Sequence, residues 1–473
     1  MNRMFLLSLV SLLLACGAAW TVPMTIEADG MANVNGSRLF VLGLYENPEE
    51  DAELARAVAA GFNLVRSSAD TAALDRLQQH SVYGWVNTGA SIDLSEDVDA
   101  RRAALQKMSA ALNNHPAMMV WEVPDEALWN CWYEALTWRR HQEPGQLGRQ
   151  IAAVTDETQR QTLNDRHAEA EALFRIGRYA EAEAMVDNLW REMKMEPPRP
   201  GYGLGNAVER AAKMQAGMVA GYQELKTLSG RPIWMNHAPR NQVNQLAAFN
   251  EAADIVGCDI YPVPLHPRVG HSDLTDRHMS SLGAYTARMQ AAAPGKPVWM
   301  VLQGFGWGDI QPDQAEEIRK ELRRPTLAET RYMAYDTIVH GARGILYWGT
   351  HAVEKDSPFY ADLLKVVSEL RDLQPVLSAP DAPMNISVSF AQTLGSVDRD
   401  AVVLAKQAGD TPWLLIVNEW TDGLTVTLSG LDSLNGAVYR ERLTGTQVEV
   451  KDGKISLNMP SQEAFVLEPV TQP

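Results

Sequence analysis

Short apolar runs alternate with amphipathic helical stretches along most of the chain. The runs at 38–47, 62–68, 82–89, 117–126, 232–240, 255–263, 297–307 and 344–351 are nearly continuous in apolar residues. That is the pattern of strands buried on both faces, as in a parallel sheet covered by helices. Helical patterns precede or follow each run. Eight such units closing on themselves predict an α/β fold of (β/α)8 type, a TIM barrel, over residues 21–380.

Two segments break the repeat. Residues at about 130–205 are rich in Ala, Glu, Arg and Gln with helical periodicity, and close on Pro197-Pro198-Arg199-Pro200-Gly201. They predict a helical insertion after strand four. From 381 to 473 short β-rich runs (401–406, 413–418, 424–428, 437–443, 447–450, 454–457 and 464–468) are separated by Gly, Asp and Asn turns. This predicts a C-terminal antiparallel β-domain of sandwich type.

Composition narrows the functional classes. With 473 residues, 46% hydrophobic and 21% charged, the chain is neither disordered, collagenous nor a multi-span membrane protein. Forty-two basic against 59 acidic residues give a net charge of −17 with no basic run, which argues against nucleic acid or an anionic membrane surface as partner. Residues 1–20 read as an export signal: Arg3, an apolar run from Phe5 to Ala15, then Leu13-Leu14-Ala15-Cys16, which resembles a bacterial lipobox. The expectation is a lipid anchor at Cys16, the chain's one link to a membrane, with an ordinary secretory signal cleaved near Ala18 or Ala19 as the alternative. Either places the protein in a bacterial cell envelope, periplasmic or cell-surface, or outside the cell. Cys131 and Cys258 fit a disulfide or two buried thiols. Ligand spacings such as HExxH and Cys/His clusters are missing from the sequence, so neither a metal nor another cofactor is expected.

Barrel enzymes carry their chemistry at the C-terminal ends of the strands. Those ends hold Tyr45 and Glu46, Arg66, Asn87, then Glu122, Asp125 and Glu126 on strand four. Asn236, His237 and Arg240 follow on strand five, Asp259 and Tyr261 on six, Gln303 and Trp307 on seven, Trp348 and His351 on eight. Carboxylates, carboxamides and aromatic rings at one mouth suit carbohydrate. Rings stack on sugar faces, polar groups bond hydroxyls, and a carboxylic acid protonates a glycosidic oxygen.

At these residues the chain resembles the clan A glycoside hydrolases, the (β/α)8 enzymes that include cellulase-like and β-galactosidase-like families. Gly61-Phe62-Asn63-Leu64-Val65-Arg66 is similar to the clan's second-strand segment, His115-Pro116-Ala117-Met118-Met119-Val120-Trp121 with Asp125-Glu126 to its fourth, and Ala342-Arg343-Gly344-Ile345-Leu346-Tyr347-Trp348 to its eighth. The resemblance spans roughly residues 36–375. It implies hydrolysis of O-glycosidic bonds of an oligo- or polysaccharide, with Glu126 as general acid/base, Arg66 reaching the active centre and Trp348 flooring the subsite of the cleaved sugar.

The chain also departs from the clan. Gln303 stands where the strand-seven Glu nucleophile is expected, and Asp125 where Asn usually precedes the acid/base. Three readings stay open: an inverting or variant hydrolase in which another carboxylate works with Glu126, a hydrolase with an unconventional second group, and a barrel that binds glycan without cleaving it. For the second carboxylate Asp259 leads, as a base across the mouth, ahead of Glu46, Asp125 and Asp309; an inverting pair needs about 6.5–9.5 Å between its carboxyl groups. Glu46, Arg66, Asp125, Trp129, His237, Tyr261, Gln303 and Trp348 are expected to contact the sugar.

Overall fold

The computed structural model describes residues 24–266, 278–391 and 401–470; the export segment and Cys16 lie outside them. A small antiparallel sheet of Thr25–Ile26, Ala32–Val34 and Ser37–Leu39 leads into eight parallel strands. These are β1 (Val41–Leu44), β2 (Leu64–Ser67), β3 (Tyr83–Asn87), β4 (Met118–Glu122), β5 (Ile233–His237), β6 (Ile255–Cys258), β7 (Trp299–Gln303) and β8 (Gly344–Trp348). The sheet runs β7-β8-β1-β2-β3-β4-β5-β6. Parallel bridges of Val256 with Val298 and Asp259 with Val301 close the seam between β6 and β7. Gly257 makes that seam possible, because a Cβ there would lie 1.7 Å from the Trp299 carbonyl oxygen. The fold is therefore a TIM barrel with flanking helices and separate antiparallel sheets in its C-terminal region. Among the described residues, no helix is long and apolar enough to cross a membrane.

Aromatic side chains fill the barrel's interior. Tyr45, Trp85 and Trp234 meet edge-on with ring centroids 5.1–5.7 Å apart, and Trp299 lies 6.0 Å from Trp234. Four large rings leave little for aliphatic layers to fill, and they set a rigid floor under the mouth.

Between β4 and β5 the chain runs through helices Ala127–Thr137, Glu143–Ala152, Glu157–Arg175, Tyr179–Glu192 and Ala207–Leu228. They enclose a core of their own that includes Leu147, Ile151, Phe174, Leu189 and Trp190. Inside it Arg139 Nη1 donates to Glu143 Oε2 and Asp187 Oδ1, both at 2.9 Å, while Trp190 Nε1 reaches Glu143 Oε1 at 3.1 Å. Arg139 and Glu143 are almost wholly buried. Removing the arginine strands two carboxylates out of water, so Arg139→Ala is expected to cost about 3–5 kcal/mol. Urea denaturation checks this; a loss under about 1 kcal/mol would mean the charges are solvated after all.

The C-terminal strands are β9 (Ser387–Phe390), β10 (Ala401–Lys406), β11 (Trp413–Asn418), β12 (Leu424–Ser429), β13 (Val438–Glu441), β14 (Gln447–Glu449), β15 (Lys454–Met459) and β16 (Ala464–Pro469). They form two antiparallel sheets, β9-β12-β15 and β10-β11-β16-β13-β14. Period-two alternation divides β11 between two cores. Leu414 and Ile416 face the sandwich with Val426 and Leu457, while Leu415 and Val417 join the barrel's core beside helix Leu327–Val339. Cys131 and Cys258 are free, buried thiols, which removes the disulfide from the two readings above.

Candidate active site

Adjacent residues on a strand face opposite ways, and this alternation selects which side chains reach the mouth. Tyr45 points inward and Glu46 outward; Asn236 points inward and His237 outward. The deepest inward group is Glu122, 1% exposed. It accepts hydrogen bonds from the Tyr45 hydroxyl, from Trp85 Nε1 at 3.1 Å and from Asn87 Nδ2 at 2.8 Å. Burial, and then the charge of Asp125, push its carboxyl up to about 7, against the bonds from Tyr45 and Asn87 and the charge of Arg66. The Tyr45 hydroxyl also lies 3.1 Å from Asp125 Oδ1. One hydroxyl proton serves two carboxyls here, so the arrangement is complete when Glu122 is itself protonated.

A pH dependence of stability follows. Between its ordinary value of 4.5 and about 7, native Glu122 keeps a proton that the unfolded chain has lost. Its contribution to stability is therefore full below pH 4.5, falls as pH rises toward 7 and is level above. Urea midpoints at pH 5 and pH 8 are expected to differ by on the order of 2–3 kcal/mol less in Glu122→Gln than in the wild type. Equal differences would assign the proton to another group.

Asp125 stands at the mouth, open to solvent yet ringed by protein. Its Oδ1 is held by Asn236 Nδ2 at 2.9 Å as well as by Tyr45. Crowding raises its carboxyl, while Asn236, Tyr45 and the charge of Arg66 lower it. Glu126 follows with left-handed backbone, φ 50° and ψ 31°, directly before helix Ala127–Thr137. That conformation costs a non-glycine residue about 1–3 kcal/mol and is held by its surroundings. One restraint is explicit, since the Glu126 N–H donates to the Asn236 carbonyl at 3.2 Å and ties the end of β4 to β5.

The turn brings Glu126 against Asp259, just past β6. The two carboxyls are hydrogen-bonded to each other. Such a contact requires a shared proton. Asp259 holds it: burial, the charges of Glu126 and Asp125 and the Glu126 contact all raise Asp259, whereas the same contact lowers Glu126. Glu126 is nonetheless raised overall by burial and by Asp125. Asp259 Oδ1 is buried with no donor in reach among the described residues, as expected of an oxygen that carries or shares that proton. The contact corrects the expectation of a base set apart from the acid. Two hydrogen-bonded carboxyls do not leave the separation of about 6.5–9.5 Å that admits an inverting water.

These groups line a cavity of about 500 Å³. Its far wall is aromatic: Tyr261 stacks on Trp348 (centroids 5.4 Å apart, planes at 23°), and Trp307 lies edge-on to Tyr261 at 6.2 Å. On the near side Trp129 stacks on Tyr133 at 5.7 Å beneath the Arg240 guanidinium. Asp125, Glu126, Trp129, Asp259, Tyr261 and Trp348 of the expected set thus share one cavity.

The other four do not line it. Gln303 is sealed in the wall: Nε2 donates to the carbonyls of Val263 (2.5 Å) and Phe305 (3.0 Å), and Oε1 accepts from the Val263 N–H at 2.9 Å. Its role is to pin the loop after β6 to the end of β7. Gln303→Glu would aim a carboxylate at two carbonyls, at an expected cost of about 2–5 kcal/mol and with no gain in turnover, as thermal melting and activity assays would register. His237 bonds Asn250 Oδ1 at 2.8 Å on the helix side of the sheet, and burial lowers it to about 4, so it is neutral. Glu46 is taken by Lys355 and by Thr350 Oγ1 at 2.7 Å. Arg66 is exposed at the rim and acts on Glu122 and Asp125 through its charge. Tyr45 and Asn236, by contrast, turn out to be the supports of Asp125; the inward parity of both was readable from the strand pattern.

One cluster in the described residues has the chemistry of a metal site: Asp336, His340 and Glu419, with ligand atoms within 4.8 Å of one another at the seam between barrel and β-domain. His340 Nε2 and Glu419 Oε1 already pair there at 2.6 Å, and the cluster is outside the cavity.

No family model matches the chain, and no curated protein matches it. The solved structures similar to it are glycoside hydrolases. A β-galactosidase from the psychrophilic Marinomonas ef1 aligns at 13% identity and TM-score 0.42 over 70% of this chain; the alignment spans 60% of the galactosidase. A GH30 endoxylanase from Clostridium papyrosolvens aligns at 9% and 0.41 over 94% of this chain and 99% of that one. A maltogenic alpha-amylase, AmyB from Thermotoga neapolitana, aligns at 11% and 0.44 over 92% and 99%. At such identities these are likenesses of architecture.

Proposed function

We propose that the protein hydrolyses O-glycosidic bonds of an oligo- or polysaccharide in the cavity at the barrel mouth. The observation that carries this reading is the Glu126–Asp259 pair, two carboxyls sharing a proton on one wall and facing aromatic rings on the other. A carboxyl that keeps its proton near neutral pH is the acid a glycosidic oxygen needs as its bond breaks. The stacked Tyr261 and Trp348 provide a platform for a sugar face, and Trp129 and Tyr133 a second one along the cavity. Keeping three carboxyls at a mouth costs desolvation that a binding protein need not spend.

Purified protein without residues 1–20, incubated with a panel of neutral and amino-sugar polysaccharides, is expected to release reducing ends. Fresh product, followed by proton NMR, is expected to keep the anomeric configuration of the substrate, since the dyad lacks the spacing for inversion. Saturable binding of a glycan with no release would make the protein a binding module. Export is part of the proposal: the lipobox-like Leu13-Leu14-Ala15-Cys16 supports a lipid-anchored mature chain starting at Cys16.

A further inference from the structure

We propose that the cavity takes a β-linked 2-acetamido-2-deoxy sugar and that the substrate's own acetamido oxygen is the nucleophile, oriented by Asp125. This rests on the hydrolase reading above and adds its substrate class and its missing group.

Three facts of geometry lead here. The carboxyls in the cavity lining are Asp125, Glu126 and Asp259. Two of these are committed to each other, and the strand-seven end, Gln303, spends its amide on backbone groups. Across the cavity stand Tyr261, Trp307 and Trp348, rings that hold a sugar but attack nothing. Asp125 remains. It is open to the cavity, it adjoins the acid in the chain, and its Oδ1 is fixed by Asn236 and Tyr45, which orients Oδ2 as an acceptor for a ligand. An acetamido N–H is the donor that suits a fixed carboxylate, and a carboxylate there offsets positive charge as it develops on that amide. The aromatic wall suits the acetamido methyl as well as the ring face.

The steps balance. The acetamido carbonyl oxygen forms a bond to C1 as the bond from C1 to the glycosidic oxygen breaks; that oxygen keeps the electron pair and takes the proton shared by Glu126 and Asp259. Asp125 accepts the acetamido N–H in the resulting oxazolinium. The deprotonated dyad then takes a proton from water, whose oxygen attacks C1 and displaces the acetamido oxygen, giving product with retained configuration and a reprotonated dyad. The adjacency of Asp125 and Glu126 serves this scheme because the left-handed backbone at Glu126 lets neighbouring residues on the chain both face one cavity.

The test compares aryl β-glycosides of 2-acetamido-2-deoxyglucose and 2-acetamido-2-deoxygalactose with their 2-hydroxy counterparts, and then replaces the acetyl by mono-, di- and trifluoroacetyl. Expected are cleavage of the acetamido substrates, a fall in kcat of at least 100-fold across the fluorinated series as the carbonyl loses nucleophilicity, and a 100-fold or greater loss of kcat in Asp125→Asn with KM changed less than about fivefold. Circular dichroism and melting of Asp125→Asn separate misfolding from loss of function; should that variant fail to fold, the fluorinated series on wild-type protein decides alone. Cleavage of the 2-hydroxy glycosides only, or indifference to fluorine, overturns the acetamido mechanism and leaves the hydrolase reading standing. No cleavage of any glycoside or polysaccharide overturns both.

Discussion

Glu126→Gln is expected to lower kcat by about 10²–10⁴-fold while sugar binding stays within a few-fold of wild type. The amide fills the same volume, and its oxygen accepts the Asp259 proton as the carboxylate did, so neither the left-handed turn at residue 126 nor the aromatic platforms need shift. What is lost is the group through which the pair's proton reaches the glycosidic oxygen and is later recovered from water. Initial rates on a cleaved substrate, with calorimetric titration of the same sugar into the variant, separate the two quantities. Lost binding together with lost turnover would mean that Glu126 holds the cavity's shape instead.

Asp259→Asn is the second large effect, expected at about 10²-fold in kcat, with a displaced pH profile. In the wild type the proton belongs to a pair, and its high affinity comes mainly from Asp259, which is raised by its burial and by the charges of Glu126 and Asp125. Asparagine still donates a hydrogen bond to Glu126 but brings no titrating proton. Glu126 then titrates alone beside Asp125, and the alkaline limb of kcat/KM is expected to move to lower pH. An unchanged limb with reduced rate would assign Asp259 a merely steric role.

Much of this was legible in the sequence, and the misses have physical causes. Eight apolar runs became eight parallel strands because a strand buried on both faces has to be apolar throughout, and few other folds demand so many in that rhythm. Asp125, Glu126, Asp259, Tyr261 and Trp348 were found because strand ends converge at one mouth. Period-two alternation was the signal left unused: it separates Tyr45 from Glu46 and Asn236 from His237 without any structure. Gln303 has the inward parity of Trp299 on β7, and only the path of the loop after β6, whose Val263 backbone claims its amide, takes it out of the site. The contact of Glu126 with Asp259 was likewise beyond sequence, since it depends on a positive φ at a glutamate, where glycine would be the expected residue.

The most direct measurement is the time course of reducing-end release from oligosaccharides of known linkage, 2-acetamido sugars among them, by wild type and Glu126→Gln in parallel. The account predicts release by the wild type and a loss of at least 100-fold in the variant at nearly unchanged affinity. Equal release by both proteins, or none by the wild type on sugars it demonstrably binds, would contradict it.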